Sequence, residues 1–212
     1  MQKTEEWTVW YQNLYRSLGD RAQQSGQPGE QVPDLTLHDL EGNPQRLSRF
    51  WEKQPALLVT VSLSCGRTRQ HIRALQRLAR RFEKHINTVI IYIVEAHPVD
   101  VASPYSDGIW LTPLNEIAGI HCAQPRTLEE RIELAEQLRS RFRLSTPMLV
   151  DALDDRAWRA FGSGPNVATL VQTDGRIAVK QGWFEAGDMA RAITALLENP
   201  PGAACDRRSP RK

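Results

Sequence analysis

Cysteine is scarce and scattered in this 212-residue chain: only Cys65, Cys122 and Cys205 occur, far apart from one another. Disulfide-stapled scaffolds and zinc centres need several closely spaced thiols, so both are excluded, and any cysteine chemistry is expected to be redox or nucleophilic. Charge of one sign is not in excess either. Twenty-seven Lys and Arg stand against 25 Asp and Glu, a net charge of +2, too little for a global footprint toward nucleic acid or anionic membrane. No run reaches the ~18 to 20 apolar residues of a membrane span, and the polar start MQKTEEW lacks the apolar core of a secretion signal. Neither a membrane nor a nucleic acid is therefore expected as a partner, and a cytoplasmic location follows. What is present, 41% hydrophobic and 25% charged residues without an internal repeat, describes one ordinary globular domain with a short appendage.

Trp7, Trp10, Tyr11, Leu14, Tyr15 and Leu18 repeat at helical spacing, an amphipathic helix that must dock either on its own domain or on a second copy in a homodimer. Gly19 to Gly29, rich in Gly and polar residues, reads as a connector, so residues 1–29 form an N-terminal helix and linker. The main domain spans 30–199, and the Pro-, Gly- and Arg-rich stretch 200–212 is expected to be a disordered basic tail. Alternating Leu35, Leu37 and Leu40 before Glu41-Gly42-Asn43-Pro44 predict a β-hairpin. The β-branched run 56–62 predicts a strand covered on both faces, and Ile72, Leu75, Leu78, Ala79, Phe82 and Ile86 predict a helix that starts just after Cys65. Residues 87–95 predict a second buried strand, parallel to the first through a crossover. An irregular segment of about 30 residues follows, longer than ordinary connections. Thr127-Leu128-Glu129-Glu130 is a capping box that opens the next helix. A short strand at 148–151, a hairpin turning at Thr173-Asp174-Gly175 and a final helix complete the order. Parallel strands first, an antiparallel hairpin last and helices between predict an α/β, thioredoxin-like fold with an N-terminal helix and β-hairpin extension.

Cys65 is the leading chemical candidate, because unpaired amides and the positive dipole at a helix N-terminus favour a thiolate, and Arg67 and Arg69 add positive field. Its pKa is expected to be depressed. The segment Cys65-Gly66-Arg67-Thr68 has no second cysteine, so Cys122 in the long loop, or Cys205 on the tail, is the possible resolving thiol. Pro147 is expected to be cis, with Thr146 beside the nucleophile. Glu95 and His97 end the second parallel strand at the edge where α/β sheets bind ligands; two apart on an extended chain, they are expected to act as an acid and base pair, with Tyr92 on the opposite face.

The stretch from Val89 to Pro98, with Tyr92-Ile93-Val94-Glu95-Ala96-His97 at its heart, resembles the signature strand of the iodothyronine deiodinase family. Ser62-Leu63-Ser64-Cys65 resembles the family's Ser-x-Thr-selenocysteine, Asp107-Gly108-Ile109-Trp110 its Asp-Gly-Trp, and Arg126 to Arg131 its Arg-Ser-Leu-Glu-x-Arg. Thr146-Pro147 before Leu149-Val150-Asp151 is similar to a further family run. The resemblance covers about 56–199. It implies Cys65 as nucleophile, Ser62 and Ser64 as supporting hydroxyls, and Tyr92, Glu95 and His97 as the proton-handling and substrate-positioning set. It also implies reductive removal of iodine from a small aromatic molecule, with no bound cofactor and with an external thiol donor such as a thioredoxin or glutathione system. Sulfur replaces selenium here, and Pro125 stands where the family has a substrate-positioning histidine. Two other functions remain open: a peroxiredoxin-like peroxidase, for which Ser62 supplies a hydroxyl three before the cysteine but Leu58 stands in place of proline, and a redox-inert binding module.

Overall fold

The computed structural model describes residues 2–199, with side chains from residue 12 onward; Cys205 and the tail lie outside the described residues. Strand β3 (Ala56–Val61) is followed by helix α2 (Gly66–Phe82) and β4 (Asn87–Tyr92) in the expected crossover, and β3 and β4 pair in parallel from Ala56↔Asn87 to Val61↔Tyr92. Strand β5 (Met148–Val150) continues the parallel set beside β4, while β6 (Ala168–Val171) runs antiparallel to β3 and carries β7 (Ile177–Gln181) as its hairpin partner. The expected hairpin, β1 (Thr36–His38) and β2 (Pro44–Arg46), adds to β5, giving one seven-stranded sheet in the order β2-β1-β5-β4-β3-β6-β7.

Side chains alternate across a strand, so apolar residues at every position imply a cover on each face. Leu57, Val59 and Val61 of β3 face the side packed by α2, helix α4 (Leu128–Phe142) and helix α6 (Ala186–Glu198), joining Ile72, Leu138 and Ile193 in one core. Ala56 and Leu58 face the other side with Leu47, Trp51 and Phe161, in a core closed by a 3-10 turn (Leu47–Phe50) and helix α5 (Arg156–Ala160). The capping box forms: Thr127 accepts from the Glu130 amide at 3.2 Å, though the Glu130 carboxylate reaches back to the Arg126 amide rather than to that of Thr127. The long segment after β4 also contains a short helix, α3 (Pro113–Ala118).

Two regions differ from expectation. Helix α1 (Gln2–Gln24) runs through Gly19, so the connector is shorter than composition suggested, and the helix docks on its own domain. Gly19 is used for close approach: a Cβ on Gly182, just past β7, would lie 2.0 Å from the Gly19 carbonyl oxygen, and one on Gly19 would lie 2.5 Å from the Trp183 ring. The Gln23 amide then pairs with the Lys180 carbonyl at 2.8 Å and the Gly182 amide at 2.9 Å, covering a sheet edge that would otherwise expose its backbone groups. The second difference concerns Thr146-Pro147. Because β5 is parallel to β4, its start lies at the amino edge of the sheet, where the Pro147 carbonyl accepts from Ile90; Cys65 emerges from the carboxyl edge. Pro147 is trans, as are all described peptide bonds, and Thr146 is not beside the nucleophile. The proline that does reach it is Pro165, ahead of the antiparallel β6.

Candidate active site

Cys65 caps α2, its sulfur accepting from the Thr68 amide at 3.4 Å. It is 4% exposed and forms part of an apolar cluster with Leu18 of α1, Ala96 and Tyr105. Burial pushes the thiol pKa up; the Thr68 amide and hydroxyl, the Arg67 amide and the Arg69 charge oppose that rise without reversing it. The dipole argument thus has the right sign and loses to desolvation, which disfavours the charged form. Cys65 rests as a thiol.

A cavity of about 290 Å³ opens against this sulfur. Tyr15 and Leu18 from α1, Ala96, His97 and Tyr105, Trp110, Thr112 to Leu114, Pro165 and Trp183 line it together with Cys65 to Arg67 and Gln70. Tyr15 and Trp183 stack face to face with centroids 4.3 Å apart, and the Trp183 indole donates to the Tyr15 carbonyl at 3.0 Å. The Arg67 guanidinium lies over both rings, at 5.4 and 5.7 Å, and is paired with Glu185. Tyr105 is held by the Trp158 indole at 2.9 Å, and Trp158 by its own amide on the buried Asp151 carboxylate.

His97 faces this cavity with its Nδ1 3.0 Å from the Trp110 carbonyl and its ring edge-on to the Trp110 indole at 4.4 Å. Burial lowers its pKa to about 4, against the pull of that carbonyl and with help from Arg69, so the ring is neutral near pH 7. A carbonyl only accepts, which puts the proton on Nδ1 and leaves Nε2 as an open acceptor.

Glu95 points elsewhere, because β4 ends at Tyr92 and the chain turns. Its fully buried carboxylate accepts from the Ser64 amide at 2.8 Å, the Leu63 amide at 3.4 Å, the Tyr92 hydroxyl in a short contact, and the Cys122 thiol at 3.5 Å. Tyr92 therefore meets Glu95 rather than opposing it, and burial together with Glu95 holds its hydroxyl protonated, well above the ordinary pKa. Among the described residues no hydrogen bond joins Glu95 to His97, so the expected acid and base pair does not form. Ser62 and Ser64 accept from the Ala96 and His97 amides at 3.4 and 2.9 Å; their hydroxyls tie the 95–97 segment to the Cys65 turn. Arg69 stands between the two groups, donating to the Leu63 carbonyl at 2.7 Å and to Asn115 at 2.6 Å. Cys65 and Cys122 are free thiols, and Cys122 does not line the cavity.

Tyr105, Trp158, Pro165 and Trp183 were not picked out by sequence; each sits on irregular chain or a short element where no periodicity marks it. Among the described residues no group of His, Cys, Asp and Glu is placed to hold a metal ion, and no helix is long and apolar enough to cross a membrane.

A cysteine at the first β-to-α junction, a proline ahead of an antiparallel strand and this sheet order define a thioredoxin-like fold of the kind that thiol oxidoreductases use. Solved structures agree on the fold. A thiol:disulfide interchange protein from Bacteroides sp. superposes with a TM-score of 0.59 at 15% identity, covering 87% of this chain and 99% of that one. A putative DsbE from Chlorobium tepidum gives 0.57 at 16%, covering 82% and 99%, and a secreted Mycobacterium tuberculosis disulfide oxidoreductase gives 0.52 at 14%, covering 84% and 98%. No curated protein sequence matches the chain. The sequence profile of the iodothyronine deiodinase family matches residues 4–199, helix α1 included, and the chain belongs to that family.

Proposed function

We propose that the protein reductively dehalogenates an iodinated aromatic small molecule through Cys65. The observation that carries this reading is the cavity itself: one thiol and one neutral imidazole share an enclosed space walled by Tyr15, Tyr105, Trp110 and Trp183. Flat aromatic walls suit a flat aromatic ligand through stacked and edge-on contacts. The balance of the step is simple. The Cys65 sulfur takes iodine from the ring, the carbon–iodine and sulfur–hydrogen bonds break, and the thiol proton replaces iodine on the ring carbon, leaving Cys65 with a sulfur–iodine bond. His97 Nε2 is the acceptor that carries this proton between sulfur and carbon. Thiols of an external donor, from a thioredoxin or glutathione system, then return Cys65 to its resting form; a reducing compartment such as the cytoplasm supplies them.

Peroxide reduction by Cys65 draws on the same thiolate form, so burial of the thiol bears on both readings alike; the aromatic walls are what favour a ring as the substrate. An inert binding module has no use for a cysteine and a histidine converging in an aromatic cavity. The test is iodide release from iodinated phenols and hydrogen peroxide consumption, measured side by side with excess dithiothreitol. Iodide release that Cys65→Ser abolishes is the expected result. Peroxide consumption without iodide release overturns the reading in favour of a peroxidase, and neither activity overturns it in favour of the binding module.

A further inference from the structure

We infer that Cys122 is the resolving thiol of this site and that Glu95 is the base that frees it. The inference rests on the reading above, in which turnover leaves Cys65 with an electrophilic sulfur. One carboxylate oxygen, Oε2 of Glu95, accepts both from the Ser64 amide at 2.8 Å and from the Cys122 thiol at 3.5 Å. Cys122 and the residue next to Cys65 thus share one acceptor atom, and the Ser64 hydroxyl also hydrogen-bonds the Cys122 sulfur. The positive charge of Arg69 acts on Cys65, Cys122 and Glu95. Cys122 belongs to the apolar core, yet its thiol is aimed at a buried carboxylate oxygen that accepts its proton. It is carried on the irregular chain between α3 and α4, so approach to Cys65 breaks no helix.

In the step, Glu95 takes the Cys122 proton and the Cys122 sulfur attacks Cys65 sulfur. The disulfide bond forms as the sulfur–iodine bond breaks and iodide leaves. Over both steps the aryl iodide is reduced to the arene, two thiols are oxidised to one disulfide, and hydrogen iodide is released. An external dithiol resets the pair.

The experiment uses the full chain carrying Cys205→Ser, so that only two thiols remain. Reduced protein receives one equivalent of an iodinated phenol or, separately, of hydrogen peroxide, which makes a sulfenic acid at Cys65 without any dehalogenation. Non-reducing peptide mass spectrometry is expected to find the Cys65 and Cys122 peptides linked. With Cys122→Ser, which keeps a donor for Glu95, the link is lost and dimedone labelling of Cys65 rises at least about tenfold. Equal dimedone labelling in both proteins, with no linked peptides, overturns the inference. Linkage with peroxide but not with the iodinated phenol upholds Cys122 while overturning dehalogenation. If Cys65 resists both oxidants, diamide, which couples neighbouring thiols directly, decides: unlinked thiols overturn the inference.

Discussion

Two neighbourhoods meet at the Ser62–Cys65 turn, built from opposite materials. Ahead of Cys65 lies a cavity with aromatic walls, lined by a thiol and a neutral imidazole. Around Glu95 lies a sealed polar knot in which two backbone amides, a phenol and a thiol converge on one carboxylate. The family signature runs through both, from Tyr92 and Glu95 in the knot to His97 in the cavity. Residues two apart in one motif thus divide between two surroundings: the knot ties the turn in place, and on the proposed reading it manages protons out of reach of solvent while the cavity hosts the chemistry.

Substitutions on each side should therefore fail differently. The largest effect is expected from Glu95→Ala, which strands three buried donors, the Ser64 amide, the Tyr92 hydroxyl and the Cys122 thiol, while the Leu63 amide keeps the Tyr92 oxygen at 3.1 Å. At about 1–3 kcal/mol for each unsatisfied group, with partial relaxation, a loss of roughly 3–6 kcal/mol is expected in urea unfolding. His97→Ala should leave the fold nearly as stable yet slow turnover by about a hundredfold, the scale of lost proton transfer, while Cys65 alkylation by iodoacetamide persists. Reversal of the two outcomes would break the comparison.

His97 also gives the cavity a pH signature. Its pKa of about 4 when folded lies below the ordinary 6.5, so between these values the unfolded chain binds a proton that the folded one refuses. Stability is expected to fall as pH drops from about 6.5 toward 4, by about 2–3 kcal/mol, and to level off below. His97→Gln should remove that part of the acid sensitivity in unfolding curves at pH 7 and 4.5. Smallest is the effect of opening the cover: Tyr15→Ala removes the ring stacked on Trp183 and should speed Cys65 alkylation several-fold, while lowering the pH at which the thiol titrates toward its ordinary range.

How much of this was legible in the sequence follows from what each signal contains. Cys65 could be placed because an apolar β-branched run stops, and a helical period starts, on either side of it. Glu95 and His97 could be placed at the right edge because a second buried strand precedes them, but not oriented, since nothing in the text shows the chain turning after Tyr92. Pro147 lies at the edge away from Cys65 because Met148–Val150 runs parallel to β4, and a Thr-Pro pair ahead of a short strand carries no signal of its distance from the nucleophile. The acidity of Cys65 was misjudged because a dipole is local, whereas its burial comes from α1, some fifty residues away in the chain and brought near by Gly19 and Gly182. Trp183, Tyr105 and Pro165 became site residues only through tertiary folding.

Cys65 is proposed to take iodine from an aromatic ring. The most direct test of this step is a single turnover: reduced protein, excess iodinated phenol, no external thiol, and simultaneous measurement of iodide, arene and free thiol. The account expects about one deiodinated ring per protein, matched by loss of free thiol at Cys65 and absent in Cys65→Ser. Deiodinated product that persists in Cys65→Ser, or Cys65 recovered fully reduced and no product formed, would contradict it.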